Sequence, residues 1–170
     1  LIFQAFLTRD PAVLIKAYNT YVLPILMYNS CVWSPRLLKD INLIEKVQKS
    51  FTYRLIRPPY FPLDYEGRLA RFQLYSLKQR RLIRDLIMSH NIINNKTCIS
   101  SSIFARPTNG KTRLGAANKL YYPEFCLEVK RGFLTVRIID DWNSLPDLIT
   151  NEMSSNRFKF LILTHFDTKK

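Results

Sequence analysis

Two adjacent carboxylates, Asp140 and Asp141, are the side chains of this 170-residue chain best suited to chemistry. Paired carboxylates can hold two divalent ions about 4 Å apart, activating an attacking hydroxyl and stabilising a leaving group. Here they sit in Ile138-Ile139-Asp140-Asp141-Trp142, with no clear strand-borne third carboxylate, and Trp142-Asn143-Ser144-Leu145-Pro146 reads as a helix closing in a turn. The pattern therefore predicts helix-end carboxylates and no metal centre. His90 falls near the apolar face of a helical stretch, where a lone imidazole is more often packed and hydrogen-bonded than a ligand. Cys31, Cys98 and Cys126 are far apart, with no Cys-x-x-Cys pair and no His at zinc-finger spacing. Three reduced thiols in an intracellular, non-secreted protein is the simplest account of them. A Gly-x-Ser-x-Gly nucleophile and a Gly-rich phosphate loop are both missing from a chain with only 4 Gly. No catalytic residue, metal ligand or cofactor site follows.

What remains is positive charge. Lys and Arg number 26 against 13 Asp and Glu, a formal net charge of +13. Arg36–Arg84 holds 12 basic and 4 acidic residues, Arg106–Arg137 holds 7 and 2, and the rest of the chain balances at 7 of each. Excess charge concentrated in this way points to a polyanion rather than to general solubility. With 47% hydrophobic residues the chain can build a core, and no uncharged apolar run approaches the ~18 residues of a membrane span. Leu1–Leu7 lacks the basic start and long apolar stretch of a signal peptide, and the chain begins without Met, so a piece of a longer protein is expected.

These charges need helices to position them, and the fold class expected is mainly α. Asp10-Pro11 is a helix start, because Asp accepts orphan amides and Pro at the first position loses no bond. The helix runs to about Tyr28 with Leu14, Tyr18, Tyr21, Val22, Ile25 and Leu26 inward, and Pro24 should kink its last third. In a second helix, about Leu37 to Arg57, an advance of ~100° per residue gathers Leu37, Ile41, Ile44, Val47, Phe51 and Leu55 on one face. Lys39, Asn42, Lys46, Lys49, Tyr53 and Arg57 gather nearly opposite, with Asp40 and Glu45 flanking the stripe. An extended connection follows at Pro58–Leu63, then a short helix after Asp64.

Ser76 and Gln79 form a capping box opening a helix to Asn94, with Leu82, Ile83, Leu86, Ile87 and Ile93 buried. Lys78, Arg80, Arg81 and Arg84 crowd its first two turns, the end where the helix dipole disfavours cations. That local conflict invites a binding role. Asn94–Gly110 reads as a loop. Lys119–Tyr122 and Phe125–Glu128 have the pattern of one short β-hairpin or of irregular packed chain, and Gly132–Trp142 fits helix and strand alike. Ser154 or Ser155 can cap a last helix. The expected division is 1–94, a linker over 95–113, and an extension over 114–170.

Five phrases, in order, share a family likeness. YVLPILMYNSCVWSP (Tyr21–Pro35) resembles the segment that follows the catalytic palm in reverse transcriptases of non-LTR, LINE-type retrotransposons of the jockey/CR1 kind. IEKVQK (Ile44–Lys49), LKQRRLIRDLI (Leu77–Ile87), FLTVRIIDDWNSLP (Phe133–Pro146) and SNRFK (Ser155–Lys159) are similar to later motifs of the same family. Arg84 stands where the family often has Gly before Asp-Leu-Ile, Lys78 stands where the family pattern has an acidic cap partner, and the cysteine-histidine knuckle of some clades is missing.

The resemblance implies a helical polymerase thumb with a less regular C-terminal extension, downstream of the catalytic aspartates. It implies no cofactor in this segment, Mg2+ belonging to the catalytic domain. Its partners would be the RNA template, the RNA–DNA duplex and the upstream palm, with no membrane. A thumb grips the duplex backbone with Lys and Arg on rigid helices, aromatics assisting. The residues expected to do so are Lys39, Lys46, Lys49, Tyr53, Arg57, Lys78, Arg80, Arg81 and Arg84. A scaffold packed on the palm or on a partner protein, and a decayed element copy, are the competing readings.

Overall fold

The computed structural model describes residues 2–56, 63–104, 119–124 and 127–168. The protein is mainly helical, and its described residues contain no sheet. In chain order the helices are α1 (Ile2–Ala5), α2 (Pro11–Ala17), a π-helical turn (Tyr18–Val22), α3 (Leu23–Met27), α4 (Ser30–Trp33), α5 (Leu38–Ile56), α6 (Tyr65–Arg71) and α7 (Leu77–Ile93). Two 3-10 turns (Ser101–Ile103, Glu128–Gly132), α8 (Leu134–Arg137), α9 (Ile139–Asn143), α10 (Asp147–Thr150) and α11 (Ser155–Asp167) follow. Two compact units divide the chain: Leu1–Ser30 with Pro35–Arg81, and Cys31–Ser34 with Leu82–Lys170. Of the linker expected over 95–113, the described part is 95–104; the Pro58–Leu63 connection lies outside the described residues except for Leu63, and Cys126 lies wholly outside them.

Cap chemistry sets the starts of α2, α6 and α7. Asp10 Oδ1 accepts from the Ala12 amide at 3.1 Å and opens α2. Asp64 Oδ1 accepts from the Gly67 amide at 2.8 Å and opens α6. A Cβ at position 67 would meet that same oxygen at 2.8 Å, so only glycine allows the close approach. The Ser76–Gln79 capping box forms in both directions, each bond 3.1 Å. Helix ends in a glycine-poor chain use other residues: Gln73 (φ 51°) and Asn95 (φ 52°) take the left-handed position after α6 and α7. The Leu74 amide reaches Leu69 O at 2.9 Å and the Lys96 amide reaches Asn91 O at 2.8 Å, each a bond back over five residues that closes a Schellman turn.

Just before Pro24, where a kink is expected, the helix changes pitch. The irregularity is the π turn, where the Leu23 amide bonds Tyr18 O, five residues back. An α-helical Pro24 would crowd the carbonyl four residues earlier, and the wider turn gives that carbonyl room. Leu14, Tyr18 and Phe51 form the unit's core cluster, with Ile2, Phe3, Val22 and Leu26 packed against it. The Tyr18 and Phe51 rings stack at 4.3 Å. Tyr21 and Ile25, expected inside, are exposed.

A larger correction concerns α5. Its buried residues are Glu45, Gln48, Phe51 and Thr52, whereas Leu37 and Val47 are exposed and Ile41, Ile44 and Leu55 half-buried. Three polar side chains are inside because each finds partners there. Tyr18 Oη donates to Gln48 Oε1 at 3.1 Å, and Gln48 Nε2 donates to Tyr65 Oη at 3.1 Å and to Tyr75 O at 2.8 Å. Tyr65 Oη donates in turn to Glu45. The Glu45 carboxylate also accepts from the Leu77 and Lys78 amides at 3.0 and 3.2 Å. Glu45 thus caps α7 from another helix instead of flanking the basic stripe. It supplies the negative charge missing from that helix's own first turn and offsets the cations gathered there.

In the second unit the buried side chains include Ile83, Leu86, Ile92, Val136, Ile138, Ile139, Trp142, Leu145, Ile149, Phe158 and Ile162. Trp142 and Phe158 stack at 5.9 Å. Gly132–Trp142, ambiguous in sequence, is helical. Of the hairpin or irregular chain expected at Lys119–Tyr122 and Phe125–Glu128, Phe125 and Cys126 lie outside the described residues, and Tyr121 is an isolated bridge residue. Both backbone groups of Leu120 are taken by the Asn143 side chain, whose Oδ1 accepts its amide at 3.0 Å and whose Nδ2 donates to its carbonyl at 2.8 Å. Ser154 takes the N-cap position of α11 without a side-chain cap bond, and Ser155 Oγ turns away to Asn91 Oδ1 at 2.7 Å.

Candidate nucleic-acid interface

Burial of Glu45, Gln48, Phe51 and Thr52 turns the opposite side of α5 to solvent, and Lys39, Lys46, Lys49 and Tyr53 are all exposed there. Among the described residues no carboxylate pairs with any of these three lysines. Lys49 Nζ stands 5.2 Å from the centre of the Tyr65 ring. Arg57 lies outside the described residues. Lys78 is exposed in the first turn of α7, in the same unit.

The two neighbouring arginines are placed differently. Arg81 is 2% exposed, a packed residue that does not face solvent. Arg80 is half-buried, its guanidinium 5.8 Å from the Tyr75 ring, and burial pulls its pKa below the ordinary arginine value. Burial dominates over the opposing influence of Tyr18, Tyr75 and Tyr65. Arg84 is exposed and belongs to the second unit. The unfavourable cluster at the start of α7 therefore resolves into an exposed Lys78, two withdrawn arginines, and an exposed Arg84 of the other unit.

A residue that periodicity did not single out joins the first unit's cations. Arg68 of α6 lies between two tyrosines, its guanidinium carbon 5.9 Å from the Tyr53 ring centre and 5.7 Å from that of Tyr65. Its Nη1 donates to Leu63 O at 2.7 Å and its Nε to Thr52 Oγ1 at 3.3 Å, which fixes the guanidinium plane. The sequence signal was faint: Tyr65-Glu66-Gly67-Arg68 is a short helical turn whose partner aromatic, Tyr53, is 15 positions earlier.

The second basic segment is partly neutralised. Arg131 pairs with Glu128 at 3.1 Å, and Arg137 is bound to Asp85. Asp140 and Asp141 occupy the first turn of α9, where Asp140 Oδ2 accepts from Tyr122 Oη at 2.7 Å. Among the described residues no group of three or more His, Cys, Asp or Glu is placed to hold a metal ion. Cys31 is half-buried, and burial, with Asp85 next in effect, pushes its thiol up to about 11. His90 is the packed imidazole that its setting predicts. Its Nε2 donates to Glu152 O at 2.6 Å, and its ring stacks on Phe158 at 4.0 Å. No helix among the described residues is long and apolar enough to cross a membrane.

No family model matches the chain, and no solved structure matches it. An uncharacterized protein of Caenorhabditis elegans is similar, 29% identical over 94 residues, which is 55% of this chain and 48% of that protein. The chain thus matches about half the length of that relative.

Proposed function

We propose that the chain is the thumb and post-polymerase part of a non-LTR retrotransposon reverse transcriptase, gripping the template–primer nucleic acid through its basic helices. Catalysis and its Mg2+ belong to the upstream palm, and this segment supplies positioning alone. The five ordered motifs argue for the family. The observation that carries the binding role is the exposed row Lys39, Lys46, Lys49 and Tyr53 on a helix anchored from behind by Glu45 and Gln48. Cations held on a rigid helix meet phosphates without a large ordering cost, and such contacts tolerate any sequence.

Filter binding of the full chain to an RNA–DNA hybrid at two salt concentrations tests this. With about five phosphates engaged, the log–log salt slope is near −4, and replacing Lys46 and Lys49 together by Ala flattens it by roughly 1.5 to 2. Arg81→Ala, at a buried position, leaves the slope unchanged. Absence of binding at low salt, or binding indifferent to the double lysine change, would rule the reading out.

A second reading, a scaffold for the palm or a partner protein, draws on Tyr21, Ile25 and Tyr28. They recur at helical spacing and are 64%, 76% and 78% exposed. Under that reading substitution of these three, and not of the lysines, abolishes association with a separately supplied palm.

A further inference from the structure

We infer that Tyr53 and Arg68 form a stacking ledge for an unpaired nucleobase, placed one helical turn beyond Lys49. The inference rests on the nucleic-acid reading of α5 and specifies which part of the ligand this corner takes. Four side chains make the ledge: Tyr53, Arg68 and Tyr65 in ring–cation–ring order, with Lys49 against Tyr65.

The two half-buried members are held from behind. Arg68 is tied to Leu63 O and Thr52 Oγ1, and Tyr65 to Glu45 and Gln48. The outer member, Tyr53, is 55% exposed and presents its ring to solvent. A guanidinium plane set among tyrosines is a π surface fixed in advance, so stacking on it orders little that is not already ordered.

The choice of an unpaired base follows from what such a surface can reach. Bases inside a duplex are stacked on one another and offer no free face, whereas unpaired single-stranded bases do. Lys49 and Tyr53 are four residues apart, about 6 Å along the helix. A strand whose phosphate meets Lys49 therefore brings its next unpaired base to Tyr53. The lysines hold backbone and the ledge holds the base where pairing ends.

Two probes and three variants test it, all in the full chain: a blunt RNA–DNA hybrid, the same hybrid with a short unpaired RNA extension, and Tyr53→Ala, Tyr53→Phe and Arg68→Lys. The wild type should bind the extended hybrid about tenfold more tightly than the blunt one, in line with one stacked base. Tyr53→Ala should erase that preference by losing about tenfold more affinity for the extended hybrid than for the blunt one, and, because tyrosine carries no charge, should leave the salt slope on the blunt hybrid unchanged. Tyr53→Phe should retain the preference, and Arg68→Lys, which keeps the charge and loses the plane, should reduce it. Equal wild-type affinity for the two probes, or a Tyr53→Ala loss of the same size on both, overturns the ledge and leaves the lysine surface standing. No binding of either probe at low salt overturns the lysine surface and the ledge with it.

Discussion

Arg137 donates to both carboxylate oxygens of Asp85, Nε to Oδ2 and Nη2 to Oδ1, each at 2.9 Å. The same guanidinium donates to Gly132 O at 2.6 Å and to Cys31 O at 2.7 Å. One side chain thus joins α7, the turn before α8 and the residues of α4 that belong to the second unit. Both partners are largely buried, with side chains 16% and 6% exposed.

Removing one partner of this pair strands the other. Asp85→Ala or Arg137→Ala should cost about 3 to 5 kcal/mol in urea denaturation. Arg137→Lys should recover little, because an ammonium cannot make the forked contact or reach both carbonyls. Replacing the pair together by Leu and Met should cost distinctly less than either single change.

The relay Tyr18–Gln48–Tyr65–Glu45 predicts a second group of effects. Gln48→Leu removes the acceptor of the Tyr18 hydroxyl and the donor to Tyr65 Oη and Tyr75 O, and should destabilise by about 1 to 3 kcal/mol. Glu45→Gln retains an acceptor for α7 but loses the charge, and should cost about 1 to 2 kcal/mol. Chemical denaturation of each variant against wild type measures both.

His90 makes stability depend on pH with a definite sign. Its pKa is lowered, first by burial, and Lys96 works in the same direction, while the Glu152 carbonyl, the Asn91 side chain and the Glu152 carboxylate oppose it. Because the folded state holds the imidazole neutral, the unfolded state binds more protons below the free value of about 6.5. Stability is then fully present above that value and falls on acidification, by up to about 1.4 kcal/mol per pH unit, until the folded pKa is reached. Urea midpoints at pH 7.5, 6 and 5 should decline more steeply for wild type than for His90→Gln, which keeps a donor for Glu152 O.

Gln73 holds a left-handed conformation in which an L side chain is strained. Gln73→Gly should raise stability by about 1 kcal/mol, and Asn95→Gly by less, since Asn already tolerates the region. A thermal melt of the two variants checks the order.

Helix starts were legible in the sequence because their chemistry is local: Asp10-Pro11, Asp64 and Ser76–Gln79 each act within three residues. The inward face of α5 was not. Apolar periodicity assumes that burial follows hydrophobicity, yet Glu45, Gln48 and Thr52 are inside through hydrogen bonds to Tyr18, Tyr65, Arg68, Tyr75 and the start of α7. Those pairings span 16 to 33 positions and leave no periodic trace. The exposed lysines were readable because the charged face lies opposite the apolar one around the helix. Arg68 was missed and Arg81 misplaced for one reason: whether a cation meets solvent or a ring depends on residues distant in sequence.

The π turn at Tyr18–Val22 has a meaning for length as well as shape. A turn closed over five residues instead of four is an α-helix carrying one inserted residue. Deleting Asn19 or Thr20, both exposed, would bring Pro24 into α-helical register, where its ring crowds a carbonyl, so α2 and α3 would join as one regular helix only if Pro24 were replaced as well, for example by Ala. Alignments of related chains across this stretch should therefore admit a gap of one residue within the helix.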